Sequence, residues 1–222
     1  MNLNNVVSLS HYLSSSTQGY GGAQSFKVRE VSSIAEGKSS NSQEWTLSNH
    51  IGTHIDLPAH FDSQGKRLHE FDDNFWIFKA PHLIHLPSQA DEIISLSNIF
   101  ESIPDQADFL IIKTDFQRFR SHKEYWNNNP GLSPDLADYL RKNKKSLRGV
   151  GFDFISLTAY QNRELGRKAH RHFLESSREG SSLCIIEDMN LEKLKTSPKA
   201  LCVAPLWVEG ADGSPVSVFA FL

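Results

Sequence analysis

The stretch His50-Ile-Gly-Thr-His54-Ile-Asp56-Leu-Pro-Ala-His60 places three histidines and one aspartate within eleven residues. Imidazole nitrogens combined with a carboxylate oxygen suit Zn²⁺ or Mn²⁺. A site with so few protein ligands usually keeps one coordination position open for water. The stretch therefore predicts a metal site at which chemistry takes place.

The geometry of this stretch favours a bend over a straight element. In a straight strand, His54 and Asp56 would share one face about 7 Å apart at Cα, whereas His50 would lie about 13 Å from His54. Gly52 can adopt a positive φ, so we expect the chain to turn there and bring His50 back. Pro58 argues against a continuous helix, because proline removes a backbone donor. We expect a bent loop beside a strand, with a hydrogen-bonded turn that binds no metal as the alternative.

The motif resembles the signature of the cyclase-like metal-dependent hydrolases, which include bacterial kynurenine formamidase and isatin hydrolase. That signature reads His-x-Gly-Thr-His-x-Asp-x-Pro-x-His, and all seven specified positions are present here. Later segments resemble family landmarks in the expected order, so the resemblance covers residues 5–220, approximately. These segments are residues 108–114, 125–126, 129–131, 151–153 with Ser156, and 185–191.

The resemblance implies a role for each polar residue of the motif. His50 and His54 would bind one metal ion, and Asp56 would occupy a position that can bridge two ions. His60 would act as general acid and base, because a histidine side chain exchanges protons near neutral pH. Direct ligation of the metal is the alternative role for His60.

The family's two remaining metal ligands are a late histidine and a glutamate. The glutamate is Glu187, at the end of an apolar run. The family phrase is similar to His-Arg-x-x-Leu, which selects His170, with His172 as the alternative. Residues 175–182 look like an inserted loop, which leaves open how a second metal ion would be held. The number of ions per subunit, one or two, also stays open. The donor types accept Zn²⁺, with Mn²⁺ as the alternative.

The implied reaction is hydrolysis of a C–N amide bond in a small aromatic or cyclic substrate, with an arylformamidase as the nearest model. A divalent ion lowers the pKa of bound water to about 7, which supplies hydroxide at neutral pH. One alternative is a polyketide-type cyclase or dehydratase that uses the same metal. Another is a metal-stabilised binding protein without turnover.

Aromatic residues are candidates for the substrate site. Tyr20 occupies the place where the family motif carries an aromatic residue followed by Pro-Gly, and it would stack on a flat substrate. Gly21 replaces the proline, so we expect a more flexible loop. Four other aromatic residues could line an apolar pocket, or belong to the core: Phe61, Phe75, Trp76 and Trp126.

Composition limits the class of protein. The chain has 222 residues and 39% hydrophobic content, which favours one domain over residues 1–222. A formal net charge of -3 provides no basic field for nucleic acid. Without a long apolar run or a signal-peptide pattern at the start, we expect a cytoplasmic protein with no membrane partner. Cys184 and Cys202 are expected to be reduced. The resemblance implies a homodimer or homotetramer.

Short apolar or alternating runs predict more strand than helix, which favours an α+β fold. The resemblance implies the swivelling β/β/α fold, with a mostly antiparallel, mixed sheet around the metal site and a few helices. Ser133 as N-cap and Pro134 as first residue predict a helix to about Lys145. Residues 161–176 predict a second helix, and residues 11–24 and 34–43 predict loops that could cover the site. The predicted strands are residues 6–9, 26–31, 44–47, 81–86, 109–113, 149–154, 183–186, 200–205 and 216–221.

Overall fold

The computed structural model describes residues 5–99 and 103–222. Within these ranges a nine-stranded mixed sheet is accompanied by two two-stranded ribbons and four α-helices. The strands are β1 (Val6–Ser8), β2 (Phe26–Ser32), β3 (Ser42–Leu47), β4 (His54–Asp56), β5 (Ile77–Phe78), β6 (Pro81–His85), β7 (Ile93–Ile94), β8 (Phe109–Lys113), β9 (Gly131–Leu132), β10 (Gly149–Phe152), β11 (Cys184–Glu187), β12 (Ala200–Pro205) and β13 (Gly213–Phe221). The helices are α1 (Leu96–Ile99), α2 (Lys123–Asn127), α3 (Pro134–Asn143) and α4 (Arg163–Leu174).

Strand β4, which carries the metal motif, lies in the middle of the large sheet. The sheet has the order β5-β12-β13-β4-β11-β10-β8-β6, and β1 pairs with β13. Strands β11, β10, β8 and β6 run parallel, whereas β4 is antiparallel to both β11 and β13. The motif is therefore held by backbone hydrogen bonds on both sides, with Glu187 opposite His54 and Gly213 opposite Asp56.

The central strands are buried on both faces of the sheet. The run Phe-Leu-Ile-Ile of β8 is apolar throughout, as expected where both faces are covered. Leu110 and Ile112 pack into one hydrophobic cluster with α3 and α4, whereas Phe109 and Ile111 pack into a second cluster. Because successive side chains of a strand point to opposite faces, one short run contributes to both cores.

The predicted α+β class, with a mixed sheet and few helices, is confirmed. Two strands, β8 and β12, have the predicted bounds, and the other predicted strands differ at their ends. Four strands were not predicted, because they have only two or three residues each and hence no measurable periodicity: β4, β5, β7 and β9. Assignment of the whole chain to one domain stays a prediction. No helix in the described ranges is both long enough and apolar enough to cross a membrane.

Both longer helices are shorter than predicted. Helix α3 begins at Pro134 and ends at Asn143, and α4 ends at Leu174. Ser133 has the extended backbone of an N-cap, but its hydroxyl makes no capping hydrogen bond. The predicted N-cap position is therefore confirmed, although no side-chain hydrogen bond supports it. The proline at the first helical position marks this start, because its fixed φ suits the helix and its missing N–H is not needed there.

The loop after α4, residues 175–182, is held by a buried arginine. Arg141 is 2% exposed, and its guanidinium donates to the backbone carbonyls of His172, Arg178 and Gly180. The backbone N–H of Ser176 donates to the Asp62 carboxylate at 2.9 Å. These contacts fix residues 175–182 against the body of the protein. The chain consequently re-enters the sheet at β11 in a defined position.

Candidate metal centre

The chain bends at Gly52, as the spacing of the motif predicts. Gly52 has a φ of 63°, and a Cβ there would lie 2.4 Å from the Leu13 side chain. Only glycine adopts this conformation in the available space. The bend returns His50 to the motif, so that its Nδ1 lies 2.8 Å from an Asp56 carboxylate oxygen.

The structure brings all five predicted metal ligands together. His50, His54 and Asp56 offer donor atoms within 4.8 Å of one another, and so do Asp56, His170 and Glu187. Asp56 is common to both groups. His54 Nε2 lies 3.5 Å from Glu187 Oε2, and His170 Nε2 lies 3.5 Å from Glu187 Oε1. The two groups thus form one buried cluster between β4, β11 and α4.

Backbone carbonyls orient the two buried histidines. His54 Nδ1 donates to the Gly52 carbonyl at 2.8 Å, and His170 Nδ1 donates to the Gly166 carbonyl at 3.0 Å. Each ring then presents Nε2 to the cluster, which is the arrangement a metal-binding histidine needs. Gly166 also lets α4 approach, because a Cβ there would lie 2.3 Å from the Thr158 hydroxyl.

Glu187 is fixed by the loop after β10. Its Oε1 accepts the Leu157 backbone N–H at 2.7 Å and lies 3.3 Å from the Ser156 hydroxyl. His170 reaches this carboxylate despite the inserted loop between them. His172 points elsewhere and hydrogen-bonds Asp138 at 2.8 Å. The structure thus places His170, and not His172, in the cluster.

The electrostatics of the cluster favour a cation. Burial alone would lower the pKa of His54, but Asp56 and Glu187 raise it to about 9. Burial likewise opposes a charge on His170, yet Asp56 and Glu187 raise its pKa to about 10. Burial would raise the pKa of Asp56, but hydrogen bonds from the three surrounding histidines hold it well below its usual value. Two buried carboxylates need compensating positive charge, and a divalent ion fits these donors.

A pocket of about 370 Å³ opens above the cluster. The predicted substrate residue Tyr20 forms part of its wall, and its ring lies 5.3 Å from that of Tyr160. Phe61 stacks on His170 at 4.6 Å, which places an apolar ring beside a predicted ligand. Other lining residues are Gln18, Gly19, His50, Gly52, His54, Asp56, His60, Ile155, Ser156, Thr158, Arg163, Arg167 and Glu187.

Some of the aromatic residues and loops considered for this pocket lie elsewhere. Phe75 and Trp76 pack with the second core cluster, and Trp126 lines a neighbouring cavity. Residues 34–43 lie in and beside the β2–β3 ribbon and do not line the pocket, whereas Gln18 to Tyr20 of the other predicted loop do. Gly21 has a φ of 68°, which proline cannot adopt, and a Cβ there would lie 2.7 Å from the Tyr160 ring. Glycine therefore lets this loop pack closely against Tyr160.

Comparisons with known proteins agree with this geometry. Residues 7–159 match the family model Cyclase, whose description reads "Putative cyclase". The chain belongs to this cyclase family. Kynurenine formamidase of Geobacillus thermodenitrificans (strain NG80-2) is 30% identical over 96% of this chain and 96% of that protein. Kynurenine formamidase of Bacillus anthracis is 27% identical over 95% of this chain and 94% of that protein.

Solved structures share the fold of this cyclase-family chain. Isatin hydrolase A from Labrenzia aggregata, bound to benzyl benzoate, has a TM-score of 0.82 at 22% identity and matches 97% of this chain and 93% of that chain. An isatin hydrolase bound to the product analogue thioisatinate has a TM-score of 0.83 at 20% identity, over 98% and 92% of the two chains. The predicted family is confirmed, and the fold is the one these proteins share.

Asp212 is a polar residue of the site that the sequence analysis missed. His60 Nδ1 donates to Asp212 Oδ2 at 2.9 Å, and His50 Nε2 lies 3.4 Å from the same oxygen. Asp212 directly precedes β13, whose first residue Gly213 pairs with Asp56. A Cβ at Gly213 would lie 2.5 Å from the His50 ring, so glycine makes room for it. The available sequence signal for Asp212 was the Asp212-Gly213 pair at the start of a strand with an alternating pattern.

His60 itself lies at the edge of the cluster. Its ring is 4.0 Å from that of His50, and its side chain is 28% exposed. His50, His60 and Asp212 also form a group of donors within 4.8 Å, which keeps the alternative of metal ligation by His60 geometrically open. Within the described ranges His60 Nε2 makes no hydrogen bond, so the Asp212 contact leaves this nitrogen facing the pocket.

We expect metal uptake to release protons. Because the pKa values of His54 and His170 lie near 9 and 10, both residues hold protons at pH 7 in chelator-treated protein. Histidine ligands must be neutral, so filling the cluster displaces about two protons. Apparent affinity then falls as pH falls, by up to about tenfold per pH unit for each displaced proton.

Calorimetry of Zn²⁺ binding at pH 7, in buffers that differ in ionisation enthalpy, counts the released protons. His172→Ala, which removes a histidine outside the cluster, should leave that count unchanged. A binding reaction with no proton release would contradict the predicted ligand set.

Proposed function

We propose that this protein is a metal-dependent hydrolase that cleaves the C–N amide bond of a small aromatic or cyclic substrate, with an arylformamidase as the nearest model. The main observation is a cluster of five metal-binding side chains at the base of a pocket, with His60 and Asp212 beside it. Relatives named kynurenine formamidase, matched over nearly the whole chain, support this reaction class.

The proposed cofactor is Zn²⁺, with Mn²⁺ as the alternative. His50, His54 and Asp56 would hold one ion, and His170 and Glu187 would hold a second one through Asp56. When bound, a divalent ion supplies a Lewis acid for the substrate carbonyl and lowers the pKa of water. The donor set accepts both metals, because imidazole and carboxylate ligands suit either.

His60 is the proposed general acid and base. Its Nδ1 proton is held by Asp212, so Nε2 can accept a proton from the attacking water. The same nitrogen can then donate that proton to the departing amide nitrogen. Phe61 stands edge-on to the His60 ring at 4.8 Å, which limits movement of the imidazole.

Tyr20 is the proposed substrate-stacking residue. Burial raises the pKa of its hydroxyl to about 12, so the ring stays neutral throughout the working pH range. The ring packs against Tyr160, which is held in turn by the Arg163 guanidinium at 4.0 Å. A flat aromatic substrate would find a preformed wall on this side of the pocket.

The central experiment combines metal analysis with activity. Protein purified without a metal-chelating tag should contain stoichiometric metal and release formate from N-formylkynurenine or formanilide. Chelation should abolish release and metal return should restore it, since the ion activates the water. His60→Ala should retain metal and lose activity, His170→Ala should lose both, and His172→Ala should change neither.

Three outcomes separate the alternatives. Stoichiometric metal with ring closure or dehydration of a substrate, and no amide hydrolysis, would identify the cyclase or dehydratase. Metal and ligand binding unchanged in His60→Ala, with no hydrolysis by the unsubstituted protein, would identify a binding protein. Protein without any affinity for Zn²⁺ or Mn²⁺ would contradict the proposed site.

A second prediction concerns the orientation of His60. Asn49 donates to Asp212 Oδ1 at 2.8 Å, and its amide also lies 3.4 Å from the Gly213 carbonyl. In Asp212→Asn, the new amide oxygen should face Asn49, which leaves its NH₂ group facing His60 Nδ1. The imidazole would then carry its proton on Nε2 and could not act as a base.

We expect Asp212→Asn to lower kcat by about 100-fold or more, since general acid–base catalysis contributes about 100- to 10,000-fold, with KM and metal content unchanged. Asp138→Asn is a matched control, because Asp138 also bonds a histidine Nδ1 at 2.8 Å, away from the pocket. Equal activity of the Asp212→Asn variant and the unsubstituted enzyme would show that Asp212 does not orient the base.

The protein is proposed to form a homodimer or homotetramer. The β2–β3 ribbon is paired with no other strand in the described ranges, and it exposes large apolar side chains. Val28, Val31 and Trp45 are 43%, 52% and 64% exposed, an apolar surface typical of an interface. Sedimentation equilibrium should give a mass of two or four times 25.1 kDa. A monomer at micromolar concentration would contradict the proposal.

The cytoplasmic location stays a prediction.

A further inference from the structure

Asp188 directly follows the proposed ligand Glu187 and has a left-handed backbone. Its φ is 52°, a region that residues other than glycine rarely adopt. The ladder between β11 and β4 pairs Glu187 with His54 as its last partners. Asp188 and Thr53 come next along the two strands. The chain therefore turns at the residue after one proposed ligand, opposite the residue before another.

The Asp188 carboxylate is buried and is held by two side chains from other segments. Asp188 is 2% exposed. The Arg120 guanidinium donates to its two oxygens from Nε at 2.9 Å and from Nη2 at 2.7 Å, which is a bidentate pair. The buried Tyr125 hydroxyl donates to Oδ1 as well. Because both oxygens are engaged, the orientation of the carboxylate is fixed.

The backbone of Asp188 is also fully hydrogen-bonded. Its N–H donates to the Phe154 carbonyl at 2.9 Å, and its carbonyl accepts the Thr53 hydroxyl at 2.5 Å. The same Thr53 oxygen accepts the backbone N–H of His11 at 2.9 Å. A side-chain hydrogen bond thus continues the pairing of β4 with β11 beyond the last regular partners.

This turn lies where the cluster depends most on the relation between the two strands. His54 Nε2 and Glu187 Oε2 are 3.5 Å apart, and each side chain comes from the end of its strand. A left-handed backbone at a residue with a side chain persists only where the surrounding structure holds it, and such residues concentrate at functional sites. Here the surrounding structure is the pair of donors from Arg120 and Tyr125.

We propose that Asp188 is a positioning residue of the metal cluster. Held by Arg120 and Tyr125, it fixes the two strand ends that carry Glu187 and His54, and it thereby sets the affinity of the cluster for a divalent ion. The proposal rests on the metal site of the proposed function and names residues outside the ligand set that control it. The described residues that line the metal pocket do not include Asp188 or its two donors.

The test measures Zn²⁺ affinity by competition with a chromogenic chelator, so it needs no substrate. Asp188→Ala removes the carboxylate, and Tyr125→Phe removes one donor to it and keeps the ring. We expect the dissociation constant to rise about 100-fold in Asp188→Ala and about tenfold in Tyr125→Phe, the range for groups that orient metal ligands. Asp188→Asn should recover part of the loss, because asparagine tolerates the left-handed backbone and keeps an acceptor for the Tyr125 hydroxyl.

Thr114→Val is the matched control for Tyr125→Phe. Its buried hydroxyl donates at 2.6 Å to the carboxylate of Asp153, which directly follows β10 as Asp188 follows β11. Both variants should lower the unfolding temperature of the metal-free protein, but only Tyr125→Phe should weaken Zn²⁺ binding. Equal losses of Zn²⁺ affinity in the two variants would reduce the effect to general loosening of the core and overturn the proposal.

The visible absorption of the Co²⁺-loaded protein provides a second measurement, because it depends on the geometry of the ligands. We expect the spectrum to change in Asp188→Ala and to stay unchanged in Thr114→Val. A merely structural role of Asp188 would lower the unfolding temperature and leave this spectrum as it is in the unsubstituted protein.

The outcomes separate this proposal from the proposed function. Unsubstituted protein without affinity for Zn²⁺ contradicts the metal site, and this proposal with it. Equal affinity in the unsubstituted protein and Asp188→Ala overturns only the role of Asp188. Asp188→Gly isolates the carboxylate, because glycine adopts this backbone without strain. Full Zn²⁺ affinity in Asp188→Gly would also overturn the proposal, whereas a loss supports it. If Asp188→Ala fails to fold, Tyr125→Phe decides the question by the same measurement.

Discussion

Two carboxylates buried side by side impose the main constraint on this structure. Asp56 and Glu187 are 1% and 3% exposed and lie on neighbouring antiparallel strands. Buried anions at this separation are tolerated only with compensating positive charge. His54 and His170 provide this positive charge, because their raised pKa values keep them protonated. A divalent ion can replace their protons. The centre of the sheet therefore needs a cation beside these two carboxylates.

The rest of the site follows from how β4 is held. Strand β11 on one side delivers Glu187, and β13 on the other side delivers Asp212. Glycines permit the close approaches, since Gly52 turns His50 back and Gly213 leaves space for its ring. Helix α4 closes the cluster with His170 and extends two arginines along the pocket. One short strand therefore sets the positions of the cluster and of the residues beside it.

Hydrogen bonds around the predicted ligands also fix which ring nitrogen of each histidine faces the pocket. The backbone carbonyls of Gly52 and Gly166 accept hydrogen bonds from Nδ1 of His54 and His170. Each of these rings therefore presents its Nε2 to the cluster. Asp212 does the same for His60, which presents Nε2 to the pocket. Their hydrogen-bond partners thus fix which ring nitrogen each of these three histidines presents.

The sequence by itself determined the motif chemistry and the elements with long periodic patterns. Spacing within residues 50–60 predicted the bend at Gly52, and the resemblance implied His170 and Glu187 as ligands. Strand β8 was visible because its apolar run extends over most of the strand, and helix α3 because Pro134 marks its start. Only the tertiary structure decided the contributions of distant segments: Asp212 beside His60, and Arg167 at the pocket. These depend on strand pairing and on the rotation of α4, which arise from packing between segments far apart in the chain and leave no local pattern.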